Sequence, residues 1–272
     1  EMAAAMADYR YSDLTEAMTS LGIARGDVVV MHSNIANFGV PEGSLDRQQI
    51  CERAVRAVQD AIGEDGTLVM PAFSYSFGHD KAEKIFDAAS TPSVCGVLTE
   101  YLRNITGARR SHEPMLSVVA IGAKADELTK NISNVCLGAG SVWERLHAAK
   151  AKICNLNLDP GSTIIHYFER LMNVPYRRDI RMDGFCVDDG ERIPHHVVYA
   201  GRDLDDPVFA NCRDCYFEMA YARGLAQRRN VGRGFIASMS FDDTASLLER
   251  ELRADPWLLT AAGQKKPSRS SA

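Results

Sequence analysis

Gly26-Asp27-Val28-Val29-Val30-Met31-His32-Ser33-Asn34 is the stretch that decides the fold. Four consecutive apolar residues between Gly-Asp and a polar exit fit a short strand buried on both faces, because a strand open to water on one side would alternate. A second such run, Gly66-Thr67-Leu68-Val69-Met70-Pro71, follows a helical stretch from Ile50 to Ile62. Strand, helix and strand in this order predict a parallel βαβ unit. His32-Ser33-Asn34 then falls at the carboxyl end of its strand, where open α/β sheets place their ligands.

Outward from this unit the pattern stays α/β. Tyr11 to Leu21 has helical spacing and stops at Gly22, while Glu1 to Ala7 reads as a frayed end. Ala72 to His79 is a polar and aromatic loop. A helix opens at Thr91-Pro92-Ser93-Val94-Cys95-Gly96 and stops at Gly107, Arg109 to Pro114 is a loop, and Leu116 to Ile121 is a strand. Short helices over Asp126 to Lys130 and Val142 to Ala148 precede a strand over Lys152 to Asn157. Beyond Pro175, Phe185 to Ile193 has the turn chemistry of a hairpin, with His195 to Tyr199 as its partner or the next strand. Arg213 to Arg223 reads as a helix, Val231 to Ser240 as one glycine-punctuated strand, and Ala245 to Ala254 as a terminal helix. The expectation is a three-layer α/β/α unit with a mixed central sheet, the antiparallel second half supplying the mixture. It forms one domain over 8–262, with a disordered or tag-like tail over 263–272.

The strand ending at Asn157 delivers Asp159-Pro160-Gly161-Ser162-Thr163-Ile164-Ile165-His166-Tyr167-Phe168-Glu169-Arg170. Pro160 or the Ser162/Thr163 pair can start a helix, and Pro175 ends it at about Val174. Ile164, Ile165, Phe168, Leu171 and Met172 share one arc, and Thr163, His166, Glu169 and Arg170 the opposite one. His166 and Glu169 are neighbours at i, i+3, and a carboxylate beside an imidazole fixes its tautomer and raises its basicity. That is a general-base arrangement, and an exposed helix face with an incidental ion pair fits the same spacing.

Composition bounds the chemistry. The chain has 272 residues, 46% hydrophobic and 25% charged, with a formal net charge of -5. That describes a globular protein and argues against a nucleic-acid partner, which selects a basic surface. Seven cysteines without a framework read as reduced thiols in a cytoplasmic protein. Cys212-Arg213-Asp214-Cys215 lacks a second CxxC, so no metal is expected. No apolar run suffices for a signal peptide or a membrane span.

Several segments together resemble the aminoglycoside 3-N-acetyltransferase family, whose fold is described as antibiotic N-acetyltransferase-like. They are Val30-Met31-His32-Ser33, Gly66 to Pro71, Thr91 to Gly96, Arg110-Ser111-His112-Glu113-Pro114, Ser117, Ala120-Ile121-Gly122 and the Thr163/His166/Glu169 set, in the family's order. The resemblance implies acetyl transfer from acetyl-coenzyme A to an amine of a small-molecule acceptor, by direct attack in a ternary complex. It implies His166 as the base, Glu169 as its orienting partner and Thr163 near the reacting carbonyl. For coenzyme A it points to His32, Ser33, Phe73, Ser74, Tyr75, Arg110 and Ser111. No cysteine nucleophile is needed, and Cys154 reads as a small core residue.

Two departures bear on the substrate. Glu113 stands where many antibiotic-modifying members carry a histidine, and Val174 to Arg178 is closer to members regarded as sugar-modifying. An acidic acceptor cleft would have to come from residues such as Asp183, Asp188, Asp189, Asp203, Asp205 and Asp206, which equally read as solvated surface. The acceptor, the acyl chain and a homodimer stay open. A catalytically silent protein of the same fold that binds coenzyme A or a partner is the alternative, and a hydrolase is disfavoured because no G-x-S-x-G elbow precedes a helix.

Overall fold

The computed structural model describes residues 7–43, 45–161, 163–202, 206, 208 and 213–264. Its main sheet has seven strands in the order β4-β5-β2-β1-β6-β10-β9. These are β1 (Val28–Val30), β2 (Thr67–Pro71), β4 (Arg109–Arg110), β5 (Val118–Gly122), β6 (Lys152–Leu156), β9 (Gln227–Val231) and β10 (Gly234–Ser240). β1 lies parallel to both β2 and β6, as the βαβ pattern predicts, with helix α2 (Arg47–Ile62) as the crossover. β5 and β10 join antiparallel at the flanks of this parallel centre, so the sheet is mixed.

The pleat sorts the apolar strands into two cores. Val28 and Val30 face one core and Val29 and Met31 the other, and Val69 is separated from Leu68 and Met70 in the same way. One core is closed by α1 (Tyr11–Ser20), α2 and α3 (Val97–Asn104). The other is closed by α4 (Ala125–Thr129), α5 (Val142–Ala148), α6 (Ile164–Leu171), α7 (Asp214–Ala222) and α8 (Phe241–Ala254). Helices on both faces of the sheet make the three layers that the sequence predicts.

The source of the antiparallel character differs from expectation. The hairpin β7 (Arg178–Asp188) and β8 (Glu191–Gly201) does form, and its Asp189-Gly190 turn has positive φ at both residues, as a tight primed turn requires. It pairs with β3 (Ile85–Phe86) in a separate three-stranded sheet instead of joining the central one. Val231 to Ser240 is not one strand either, because Gly232-Arg233 is the turn between β9 and β10. Arg109 and Arg110, expected in a loop, form the two-residue edge strand β4. Ser162, Asp203, Asp205, Cys212 and residues 265–272 lie outside the described residues.

Candidate active site

Helix α6 is positioned by the end of β6. Asn155 is fully buried; its side chain accepts the His32 N–H at 2.9 Å and donates to the Asp159 carbonyl at 2.9 Å. Asn157 accepts the Phe235 N–H at 2.8 Å and donates to the Asn34 carbonyl at 2.9 Å. Gly161 then turns the chain at φ 109, where a Cβ would stand 2.9 Å from the Tyr216 ring. The helix begins after Thr163, whose hydroxyl makes no capping bond, and runs only to Leu171, short of the expected Val174. Met172 is its C-cap, and Asn173 follows with a positive φ of 50°.

The polar arc of α6 is not a solvated face. Glu169 has no exposure, and His166 Nδ1 lies 2.6 Å from its Oε2. Tyr176 donates its hydroxyl to Oε1 at 2.7 Å, and Arg177 donates Nε to Oε2 at 2.5 Å. Burial alone would raise the Glu169 pKa, but His166, Arg177 and the Tyr176 hydroxyl outweigh it and hold the carboxyl at about 2. Arg177 Nη2 also approaches Nδ1, at 2.6 Å. Because Nδ1 can serve only one of these partners, the ionised carboxylate takes its N–H, and the guanidinium beside it disfavours a second ring proton. The His166 pKa is accordingly lowered, first by burial and then by Arg177 and Arg213, with Glu169 opposing. Nε2 makes no hydrogen bond among the described residues.

His166 and Thr163 line a cavity of about 320 Å³ with Phe73, Tyr75, Tyr199 and Leu116. Three guanidinium side chains, Arg177, Arg202 and Arg213, share it. Tyr75 sits at φ 51, an unusual conformation for a non-glycine residue and a form of local strain found at ligand sites. Its loop is pinned by Ser76, which donates to Ser74, and by Ser74, which donates to the Pro114 carbonyl, both at 2.9 Å. A larger open groove of about 1040 Å³ lies between α1 and α2 and holds none of the residues that the sequence singles out.

The predicted residues therefore divide. Thr163, His166, Phe73 and Tyr75 meet in the cavity, with Glu169 directly behind His166. His32 packs edge-on against Phe73 at 6.4 Å, its pKa lowered to about 4 by burial and Arg213. Ser33, the next residue, has a buried hydroxyl without a partner. Ser74, Arg110 and Ser111 do not reach the cavity. Arg110 donates to the carbonyls of Ala72 at 2.7 Å and Thr91 at 2.5 Å and stacks on Phe86, and Ser111 is fully buried and accepts the Val118 N–H at 2.9 Å. Motif position makes them candidates, and their polar atoms bond to backbone groups: Ser74 to the Pro114 carbonyl, Arg110 to the Ala72 and Thr91 carbonyls and Ser111 to the Val118 N–H. Glu113 is similar: buried, it accepts the backbone N–H groups of Met115, at 2.9 Å, and Leu116, and so fixes the turn that hands Leu116 to the cavity.

Arg202 and Arg213, absent from the sequence candidates, come from the end of β8 and the start of α7, a convergence with no local signal. Cys154 belongs to the core on the opposite face of the sheet from Ile164 and Ile165, which removes it as a nucleophile for this cavity. Among the described residues no three metal-ligating side chains converge, and no helix is long and apolar enough to cross a membrane.

The sequence profile described as "Aminoglycoside 3-N-acetyltransferase" matches residues 30–253. Aminoglycoside N(3)-acetyltransferase III of Salmonella sp is 32% identical over 183 residues, which cover 61% of this chain and 62% of that protein. The chain thus spans less than two thirds of that relative. The aminoglycoside N(3')-acetyltransferase-like protein YokD of Bacillus subtilis is 24% identical over 66% of this chain and 71% of its own length. The fold matches a solved structure of AAC-IIIb with CoASH at a TM-score of 0.74 and 24% identity, over 95% of this chain and 99% of that one. It also matches sisomicin-bound AAC-VIa at a TM-score of 0.75 and 22% identity, over 90% and 98%.

Proposed function

The chain belongs to the aminoglycoside 3-N-acetyltransferase family, and from that premise we propose that it transfers an acetyl group from acetyl-coenzyme A to an amine of an aminoglycoside, amino sugar or similar small molecule. The observation that carries this reading is the His166 ring, held at Nδ1 by a buried carboxylate while it lines a cavity. That arrangement leaves Nε2 to receive a proton. The acceptor nitrogen attacks the thioester carbonyl, its proton passes to Nε2, and the C–S bond breaks with its electron pair leaving on sulfur. An amine with a pKa of roughly 7 to 10 is inert while protonated, so a positioned base contributes about 10² to 10⁴ in rate. The thiolate leaves readily, so direct transfer in a ternary complex suffices.

His32, Ser33, Phe73 and Tyr75 are the residues that would hold the donor. The unpartnered Ser33 hydroxyl fits a pantetheine amide, which offers both a donor and an acceptor. Thr163, which lines the cavity at the start of α6, would lie near the reacting carbonyl. Ser74, Arg110 and Ser111 contribute by fixing the loops that carry these groups.

The test is calorimetric titration with acetyl-coenzyme A, combined with an assay of thiol release over a panel of amines. Saturable binding and turnover are expected from the native protein, and His166→Ala should abolish turnover while retaining binding. Equal loss of both would remove His166 from the role of base, and no binding by the native chain would leave the likeness one of fold alone.

A further inference from the structure

The two oxygens of Glu169 are used unequally. His166 Nδ1 lies 2.6 Å and Arg177 Nε 2.5 Å from Oε2, while Tyr176 donates its hydroxyl to Oε1 at 2.7 Å. Arg177 is itself anchored by Nη1, which donates to the Ala200 carbonyl at 2.7 Å, and its Nη2 lies 2.6 Å from His166 Nδ1. A guanidinium that presents Nε and one Nη along the same edge is suited to grip both oxygens of a carboxylate. A turn of the Glu169 carboxylate toward Arg177 would complete that fork and take the acceptor away from His166. The Tyr176 hydroxyl ties Oε1 and opposes that turn.

Tyr176 is firmly seated. It is buried, and the Val174 N–H just before it donates to the Glu169 carbonyl at 3.2 Å. Burial and the neighbouring carboxylate push its phenol well above the usual range, so the hydroxyl keeps its proton and faces Glu169 as a donor. Its ring packs on Trp257, with 5.7 Å between centroids. The Trp257 carbonyl in turn accepts the Thr260 hydroxyl at 2.7 Å and the Thr260 N–H at 3.0 Å. Trp257 lies beyond residue 253, where the match to the family profile ends.

Building on the proposed role of His166 as the base, we propose that Tyr176 is a positioning residue for the reaction: by tying Oε1 it keeps Glu169 on His166 Nδ1 instead of in a two-pronged pair with Arg177, and so keeps Nε2 free for the proton of the amine. Tyr176 does not line the cavity, so it acts through Glu169.

The test is Tyr176→Phe, read in two ways. The first needs no turnover: with isotope-labelled histidine ring nitrogens, nuclear magnetic resonance reports which His166 nitrogen carries the proton. The native protein should show the proton on Nδ1, and Tyr176→Phe a mixture of tautomers with faster exchange of that proton. An unchanged His166 signal in the variant overturns the proposal. The second is kcat by thiol release over the amine panel, expressed per coenzyme A site counted by calorimetry, so that misfolded chains do not contribute. Tyr176→Phe should lower kcat about tenfold and leave the donor KM within about twofold. In a Glu169→Gln background the same substitution should cost less than about twofold, because the group it acts through is already gone. Equal losses in both backgrounds, or a loss carried by KM, would also overturn the proposal. If the native chain acetylates no amine, the transferase reading fails, and the tautomer measurement alone decides whether Tyr176 holds the ring.

Discussion

Glu169 lies beneath His166 with no exposure, its Oε2 2.6 Å from Nδ1, and it opposes the burial and the two arginines that lower the imidazole's pKa. Glu169→Gln keeps the shape and removes the charge. Burial and the two arginines then act unopposed, so the His166 pKa falls further, the acid limb of kcat moves to lower pH, and the plateau drops by about a hundredfold as the base weakens. Arg177, only 6% exposed at its side chain, loses its counter-charge, and stability falls by about 3 kcal/mol. A pH profile of kcat separates these effects, and an unmoved acid limb would show that Glu169 serves packing only.

Acid should destabilise the fold earlier than carboxylate protonation does. The folded pKa of His32 is lowered from 6.5 to about 4, so the unfolded chain binds this proton more readily than the folded one. Its contribution to stability is complete above pH 6.5 and declines as the pH falls toward about 4, by up to about 1.4 kcal/mol per pH unit. His166, also lowered, acts in the same direction. Denaturant melts at pH 7 and pH 5 measure the difference, which His32→Asn should reduce; an equal slope in the variant would place the effect elsewhere.

Arg110 should matter for stability and not for donor affinity. Arg110→Ala strips the Ala72 and Thr91 carbonyls of a buried donor and removes the stack on Phe86, a loss of about 3 kcal/mol. Arg110→Lys should not rescue it, because a single ammonium cannot span both carbonyls. Chemical denaturation and calorimetry with acetyl-coenzyme A read the two quantities separately. Weakened donor binding by a well-folded Arg110→Lys would return this residue to the phosphate role that its motif suggests.

No acyl-cysteine should form. Burial pushes the Cys154 and Cys186 thiols up to about 12, and Cys154 faces the core on the other side of the sheet. Cys154→Ala should retain turnover, and mass spectrometry after mixing with acetyl-coenzyme A alone should find no added acetyl group. An acetylated cysteine that decays on addition of an amine would replace direct transfer with a two-step route.

Much of the fold was legible because its deciding signals are local. Val28 to Met31 and Thr67 to Pro71 announce buried parallel strands by their unbroken apolar runs, and glycines bound them. Strand β9 was not legible, since Gln227-Arg228-Arg229-Asn230 is an exposed sheet edge without apolar alternation. The hairpin from Arg178 to Gly201 was legible as a hairpin, but nothing in its pattern tells which sheet it joins. In the site, i, i+3 spacing on one helix exposed His166 and Glu169. The three arginines arrive from separate elements and meet only through tertiary packing. The bonds that Arg110 makes to the Ala72 carbonyl and Ser111 to the Val118 N–H were not legible, because a motif records which residues stand together, not which atoms they bond.

The strand order governs when the sheet can close during synthesis. Val29 pairs with Lys152, and Leu156 with Ile236, so the middle of the sheet has an unfilled edge until much of the chain has left the ribosome. Helix α6 packs against α8, which follows the last strand directly. Contacts so distant along the chain close late, and nascent chains short of Ser240 carry a bare strand edge open to misassembly. A translation product interrupted before that point leaves the edge of β6 without its antiparallel partner.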